Sequence, residues 1–274
     1  MTSFRDMHQP GNPFILANAW DVGSAKMLKS LGAKAIATSS AAHAFTQGRP
    51  DGLGVTRDQA LAHAQDLIAA TDLPVQGDFE NGWGDDPDTC AETVRLAGEA
   101  GLAGICIEDV IPPTDQAYDR DLAIERIKAA AAAARALPQD FMLCARADGI
   151  MTNTYDVDEA ILRLQGFEAA GADCLYAPLP KSMDDLARIC ASVMAPVNAL
   201  AAGPLYTSQS LADFAKAGVA RISLGSALAR ATHRVLHDAA VEMFGIPQSG
   251  AQNEGSFSLL GRSISGDKVD GLIT

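Results

Sequence analysis

One alternation runs through the chain eight times: a short apolar run, then a longer segment rich in Ala, Leu and charge. The apolar runs are Phe14–Ala17, Ala35–Thr38, Pro74–Gly77, Gly104–Ile107, Phe141–Ala145, Asp173–Ala177, Pro196–Ala199 and Ala220–Leu224. Segments such as Arg57–Ala70, Thr89–Ala100, Asp121–Ala136 and Asp156–Ala170 carry the pattern of helices. Leu31-Gly32-Ala33, Ala100-Gly101-Leu102, Ala170-Gly171-Ala172 and Ala217-Gly218-Val219 place a helix-ending glycine just before a strand. Strand–helix alternation gives parallel strands with crossover helices, and eight of them close a barrel. A doubly wound sheet competes, but it usually has fewer strands, and no GxGxxG follows the first run. The expected fold is α/β, a single (β/α)8 TIM-type barrel domain over residues 1–274. Residues 235–274 form a C-terminal arm: a helical pattern (Arg234–Phe244), a turn (Gly245–Gly250) and a polar segment to Thr274.

Barrels carry their reactive groups at the C-terminal ends of the strands. After the first run come Asn18, Trp20 and Asp21. After the second come Ser39 and Ser40, then a long connection through His43, Arg49 and Asp51. The third yields Asp78 and Glu80, the fourth Glu108 and Asp109, the fifth Arg146 and Asp148. The last three yield Tyr176, Asn198, and Gly225 with Ser226.

Asp78 and Glu80, spaced i, i+2 among three glycines, point the same way on a strand. Two like charges side by side require a cation or a proton between them. A divalent ion held by oxygens satisfies them; a solvated acidic loop is the plain alternative. Asp51, Asp78, Glu80 and Glu108 can surround one Mg²⁺, directly or through water, with Mn²⁺ as a substitute. Arg146 offers a planar fork for a substrate carboxylate. Ser39 and Ser40 can hold a second anionic group. That set suits a small 2-oxo acid or dicarboxylate whose enolate a metal stabilises.

Other positions have structural readings beside the functional ones. Asp109 and Asp148 are read first as helix caps or partners of basic neighbours. Trp20 and Asn18 are either substrate-side residues or a layer at the barrel rim. Tyr176 is either a substrate contact or a satisfied core tyrosine. Asn198 lies at a strand end that faces the substrate. Gly225-Ser226-Ala227 has the form of a phosphate site or of close helix–strand packing. Trp83 and Tyr118 either shield the site or cover apolar surface.

The net charge of −13 argues against nucleic-acid and anionic-membrane partners. No stretch approaches the roughly 18 apolar residues of a membrane span. The five cysteines form no CxxC pair, and Cys106, Cys144 and Cys174 lie in apolar runs. They read as buried, reduced, inert thiols in a reducing, cytoplasmic compartment.

The segments Asn18-Ala-Trp-Asp21, Ala37-Thr-Ser-Ser40, Arg49-Pro-Asp51, Asp78-Phe-Glu-Asn-Gly-Trp-Gly-Asp85, Gly104-Ile-Cys-Ile-Glu-Asp109 and Ala145-Arg-Ala-Asp148 follow one another at barrel positions. In this order the chain resembles the isocitrate lyase/phosphoenolpyruvate mutase superfamily over most of residues 14 to 230. The resemblance implies a Mg²⁺-dependent barrel enzyme acting on a 2-oxo acid or its enolate. It also implies a homotetramer whose dimers exchange C-terminal helices. By position, Asp78 is implied as the direct metal ligand, with Asp51, Glu80 and Glu108 acting through water. Ser39, Ser40 and the Ala41 amide are implied to hold the oxo-acid carboxylate, with Arg146 on the same substrate. Glu80 departs from the superfamily's commoner Asp.

A larger departure follows Glu108. The lyases carry Lys-Lys/Arg-Cys-Gly-His in the gating loop, and the mutases a lysine and an asparagine. Here the loop reads Val110-Ile-Pro-Pro-Thr-Asp-Gln-Ala-Tyr-Asp119. Cys106 precedes it, inside the strand. The expected activity is therefore a metal-dependent lyase, with Arg146, Glu108 and Asp51 in catalysis. Decarboxylation of an oxaloacetate-like acid needs the least machinery. C–C cleavage with Tyr118, Asp115 or water as proton donor is the variant. The alternatives are a P–C bond mutase or hydrolase, whose asparagine Asp115 or Gln116 would replace, and a non-catalytic 2-oxo acid binder.

Overall fold

The computed structural model describes residues 3–52, 54–114, 116–247 and 255–274. The strands are β1 (Phe14–Asn18), β2 (Ile36–Ala37), β3 (Val75–Asp78), β4 (Gly104–Glu108), β5 (Val110–Ile111), β6 (Gln116–Ala117), β7 (Met142–Arg146), β8 (Cys174–Tyr176), β9 (Val197–Leu200) and β10 (Arg221–Ser223). Eight of them close a parallel barrel in the order β1-β2-β3-β4-β7-β8-β9-β10, each strand beside its neighbour in sequence. The exceptions, β5 and β6, form a small antiparallel pair in the β4–β7 connection. All eight expected strands are therefore present, with ends that differ by a residue or two. The Val110–Asp119 segment, read as a plain loop, is partly a hairpin.

The helices are α1 (Val22–Ser30), α2 (Ser40–Thr46), α3 (Arg57–Ala70), α4 (Pro87–Glu99), α5 (Arg120–Ala136), α6 (Gly149–Thr152), α7 (Val157–Ala169), α8 (Met183–Ala191), α9 (Gly203–Thr207), α10 (Leu211–Lys216), α11 (Ala227–Met243) and α12 (Gly266–Ile273). Side-chain caps set several starts. Asp21 Oδ1 accepts from the Ser24 amide at 2.6 Å and closes a capping box, so α1 begins before Ala25. Ser210 starts α10 the same way.

Among the described residues three apolar clusters result, one inside the barrel and two between strands and helices. Side chains alternate across each strand. The inner set, including Leu16, Ala37, Cys106, Met142, Cys144 and Cys174, fills the barrel. The outer set, including Phe79, Ile105, Leu143, Leu164 and Phe167, packs strands against helices. The N-terminal segment closes the lower end: Phe4, His8 and Phe14 meet edge-to-face with ring centroids 5.0 to 6.4 Å apart.

The tail differs from expectation. Its helix is α11, which runs on from the last barrel strand at Ala227, so residue 235 is no boundary. The latter part of the expected Gly245–Gly250 turn lies outside the described residues. The segment to Thr274 is not irregular throughout, since α12 packs against α1. Helix α11 buries only Ala229 and Ala239, while Val235 and Leu236 stand 70% and 65% exposed. Among the described residues no helix is long and apolar enough to cross a membrane.

Candidate active site

A cavity of about 420 Å³ opens at the C-terminal ends of the strands. Asp51, Asp78, Glu80, Glu108, Arg146, Ser39, Ser40, Ala41, Tyr176 and Asn198 all line it. Trp20 does not. Its main chain lies just before the Asp21 cap of α1, where the amide donates to Ser24 Oγ and the carbonyl sits 3.0 Å from His63 Nε2. The expectation that Trp20 contacts substrate is corrected on that ground.

Arg146, at the end of β7, organises the acids. Nη1 donates to Asp78 Oδ1 at 3.1 Å, and Nη2 pairs with Glu108 Oε2 at 3.0 Å. Nε and Nη2 grip both oxygens of Asp148 at 2.9 and 2.5 Å. The Tyr176 ring lies 5.2 Å from the guanidinium carbon, within cation–π range. Arg146 thus faces protein carboxylates here. Asp148 in turn is fixed through its amide by Asp109 Oδ1 at 2.8 Å. Asp109 is buried and pairs with Arg163 Nη1 at 2.9 Å, which bears out its reading as a partner of basic neighbours.

Asp78 is held from the other side by α2, a helix that the expected long connection after β2 concealed. Its Oδ2 accepts from the Ser40 amide at 2.9 Å and Ser40 Oγ at 3.0 Å. Its own amide donates to Thr38 Oγ1 at 2.8 Å. Ser39 Oγ caps α2 by accepting from the Ala42 amide. Both serines therefore position the helix and the acid, rather than pointing bare hydroxyls at the cavity.

Burial, then the charges of Asp78 and Asp51, push the Glu80 carboxyl up to about 7. Burial likewise raises Glu108 well above the carboxylate range. Glu80 and Trp83 both hold left-handed backbone (φ 44° and 61°), a strained state for such side chains. The Glu80 carbonyl accepts the Glu108 amide at 2.9 Å, which ties the turn to β4.

The donor set suits a hard divalent ion, since every candidate ligand is a carboxylate oxygen. Among the described residues no three such groups converge to chelate one ion. Mg²⁺ takes only one or two direct carboxylates and keeps its waters, so one carboxylate with water-linked neighbours fits.

One expectation fails at the rim. Tyr118 is no cavity donor: its hydroxyl binds Asp85 at 2.6 Å and Asn81 at 2.7 Å, beneath Arg126. Asp115 lies outside the described residues. At Gly225 the amide, with that of Leu224, donates to Asn18 Oδ1 at 2.9 and 2.8 Å. Those donors hold β1 to β10, so close packing is the reading that stands there.

Among the cavity residues that escaped sequence reading are Cys106 and Arg221. Cys106 lines the wall despite its place within the strand. Arg221, in β10, lies buried inside the barrel and reaches the cavity. An arginine within an apolar run, at the inward phase of the strand, was the signal available.

A family model described as phosphoenolpyruvate phosphomutase matches residues 4–244. A crystal structure of a Burkholderia cenocepacia protein, described only as a lyase/mutase, is 42% identical. It matches with a TM-score of 0.90 over 98% of this chain and 93% of its own. An uncharacterized protein of Mycobacterium tuberculosis is 36% identical over 225 residues, 82% of each chain. The oxaloacetate decarboxylase of Paraburkholderia xenovorans is 27% identical over 220 residues, 77% of this chain and 70% of its own.

Proposed function

Because this chain belongs to the phosphoenolpyruvate phosphomutase family, within the isocitrate lyase/phosphoenolpyruvate mutase superfamily, we propose that it is a Mg²⁺-dependent lyase. Its substrate is a small 2-oxo or 2-hydroxy dicarboxylic acid of the oxaloacetate type. The observation that carries the reading is one guanidinium, Arg146, set among Asp78, Glu108 and Asp148 in one cavity. The decarboxylase relative supports the choice of acid.

In this reading Asp78, with Glu80, Glu108 and Asp51 around it, would hold the ion. The bound ion supplies Lewis-acid polarisation of the 2-oxo group. Arg146 binds and orients the substrate carboxylate, its plane fixed by the two-point grip of Asp148. The Ala41 amide at the start of α2 adds a donor beside Ser39 and Ser40. Val110, Pro112, Pro113, Met151 and Leu200 form the apolar side of the cavity and exclude water. Breaking the bond to the departing carboxylate leaves an electron pair in the enolate and releases neutral CO₂. No acid is required on the leaving group, which accords with a loop lacking the superfamily's cysteine.

The exposed apolar face of α11 supports the accompanying proposal of a homotetramer with exchanged C-terminal helices.

Initial rates on oxaloacetate with Mg²⁺, and again in EDTA, test the activity. Metal-dependent loss of substrate is expected. Tight oxalate binding with no turnover would favour the non-catalytic binder, and turnover of phosphonopyruvate alone the P–C reading.

A further inference from the structure

Arg221 is a charged group in an apolar place. It is 1% exposed, and all its contacts are internal. Nε donates to Asn198 Oδ1 at 2.8 Å, and Nη1 donates to Gln76 Oε1 at 2.6 Å. Nη1 also lies 3.1 Å from His8 Nε2, and Nη2 lies 3.1 Å from Cys144 Sγ. Among the described residues no carboxylate reaches it. A guanidinium cannot shed its charge, and a buried charge without a partner is strongly unfavourable.

His8 offers no countercharge. Its Nδ1 faces the Phe4 carbonyl at 2.9 Å, so Nδ1 carries the proton and Nε2 accepts from Arg221. Gln76 and Asn198 are neutral. Cys144 is the remaining contact that can become an anion, and its sulfur sits at short range for an N–H donor. The titratable groups around it are Cys106 on β4, Cys174 on β8, Arg221 on β10 and His8 of the N-terminal segment. We propose that Cys144 is a thiolate ion-paired with Arg221, and that this pair fixes the amide of Asn198 on the inner wall of the cavity.

The second half follows from the chain of bonds. With its Oδ1 on Arg221, Asn198 turns Nδ2 toward Ser223 Oγ at 2.9 Å. Both Asn198 and Ser223 line the cavity. Cys144 touches neither, so it acts as a positioning residue. Burial alone raises a thiol's pKa. Here the contacts from Cys106, Cys174 and Arg221 outweigh burial and hold Cys144 well below the ordinary thiol range. Burial pushes the thiols of Cys90, Cys106, Cys174 and Cys190 the other way, upward.

The test is the ultraviolet thiolate band of the whole protein, titrated from neutral pH downward, in wild type and in Cys144→Ser. Wild type should show the band of one thiolate at neutral pH, and Cys144→Ser should lack it. A band that appears only above the ordinary thiol range, or that survives Cys144→Ser, overturns the ion pair. If Cys144→Ser does not fold, Cys106→Ser and Cys174→Ser decide: the band should survive in both, and its loss from either overturns the assignment to Cys144. A second arm measures oxalate affinity with Mg²⁺ present. Cys144→Ser should weaken it roughly tenfold, the scale of one charge-assisted hydrogen bond, and Cys144→Asp should restore it. Unchanged affinity in Cys144→Ser overturns the positioning of Asn198. This arm rests on the proposed function; the ultraviolet arm does not, so the two can fail separately.

Discussion

Arg146 and Asp78 meet at the mouth of the barrel, Nη1 donating to Oδ1 at 3.1 Å across 68 positions of sequence. β4 lies between their strands and contributes Glu108 to the same guanidinium. Replacing Arg146 with Met leaves Asp78, Glu108 and Asp148 without their shared cation. Stability should fall by about 3–5 kcal/mol, the cost of stripping a buried charge of its partner. Urea unfolding measures it, and wild-type stability in the variant would show that the acids are compensated elsewhere. Arg146→Lys keeps a charge but loses the fork, and turnover should still drop about 10²-fold.

Asp78→Ala should abolish Mg²⁺-dependent oxalate binding, measured by calorimetry. EDTA should do the same to the wild type. Equal binding of oxalate with and without EDTA would sink the metal assignment.

Stability should fall in acid, and His8 supplies part of the slope. Burial, then Arg221, lowers it from 6.5 to about 3. The unfolded chain therefore binds the extra proton between those values, so stability rises with pH through that window. The full contribution is present above the unfolded value and is lost as pH falls toward the folded one. Between about pH 8 and about pH 5, His8 alone should cost about 2 kcal/mol. His8→Asn should remove that share and leave the parts due to His43, lowered to about 4, and His63. An unchanged slope in His8→Asn, by denaturant melts at both pH values, would refute this.

At Gly104 a Cβ would lie 2.2 Å from the Met142 carbonyl oxygen, on the neighbouring strand. Backbone cannot yield as a side-chain tip can. Gly104→Ala should lower stability by about 3 kcal/mol or more, with β4 and the Glu108 carboxylate displaced. A thermal melt matching wild type would mean that β4 and β7 can separate freely.

If α11 docks on a neighbouring subunit, Leu236→Glu should shift sedimentation to smaller species while the barrel's circular dichroism is kept. An unchanged mass distribution, whether tetrameric or monomeric in both proteins, would count against the exchange.

The barrel was legible because its signal is repeated and local. Eight apolar runs, each followed by a helical segment, allow few topologies, and glycines mark where helices end. The acids at strand ends were legible for the same reason: a parallel barrel sends every strand's C-terminus to one face. Asp78, Glu80 and Glu108 were thus placed together from sequence, and they line the cavity with Asp51, which comes from the long connection after β2.

Direction and partnership were not legible. Trp20 follows β1 closely, yet its main chain is tied to Ser24 and His63 just before α1, and it does not line the cavity. Ser39 and Ser40 sit where expected, but their donors turn to the Ala42 amide and to Asp78. Tyr118 reads as a rim residue until Asp85 and Asn81 claim its hydroxyl. Arg221 and Cys144, 77 positions apart, meet only because the sheet closes on itself. Sequence determines which strand and which face carry a side chain, since backbone periodicity sets both. Which group that side chain touches depends on packing between distant segments, and only the closed barrel decides it.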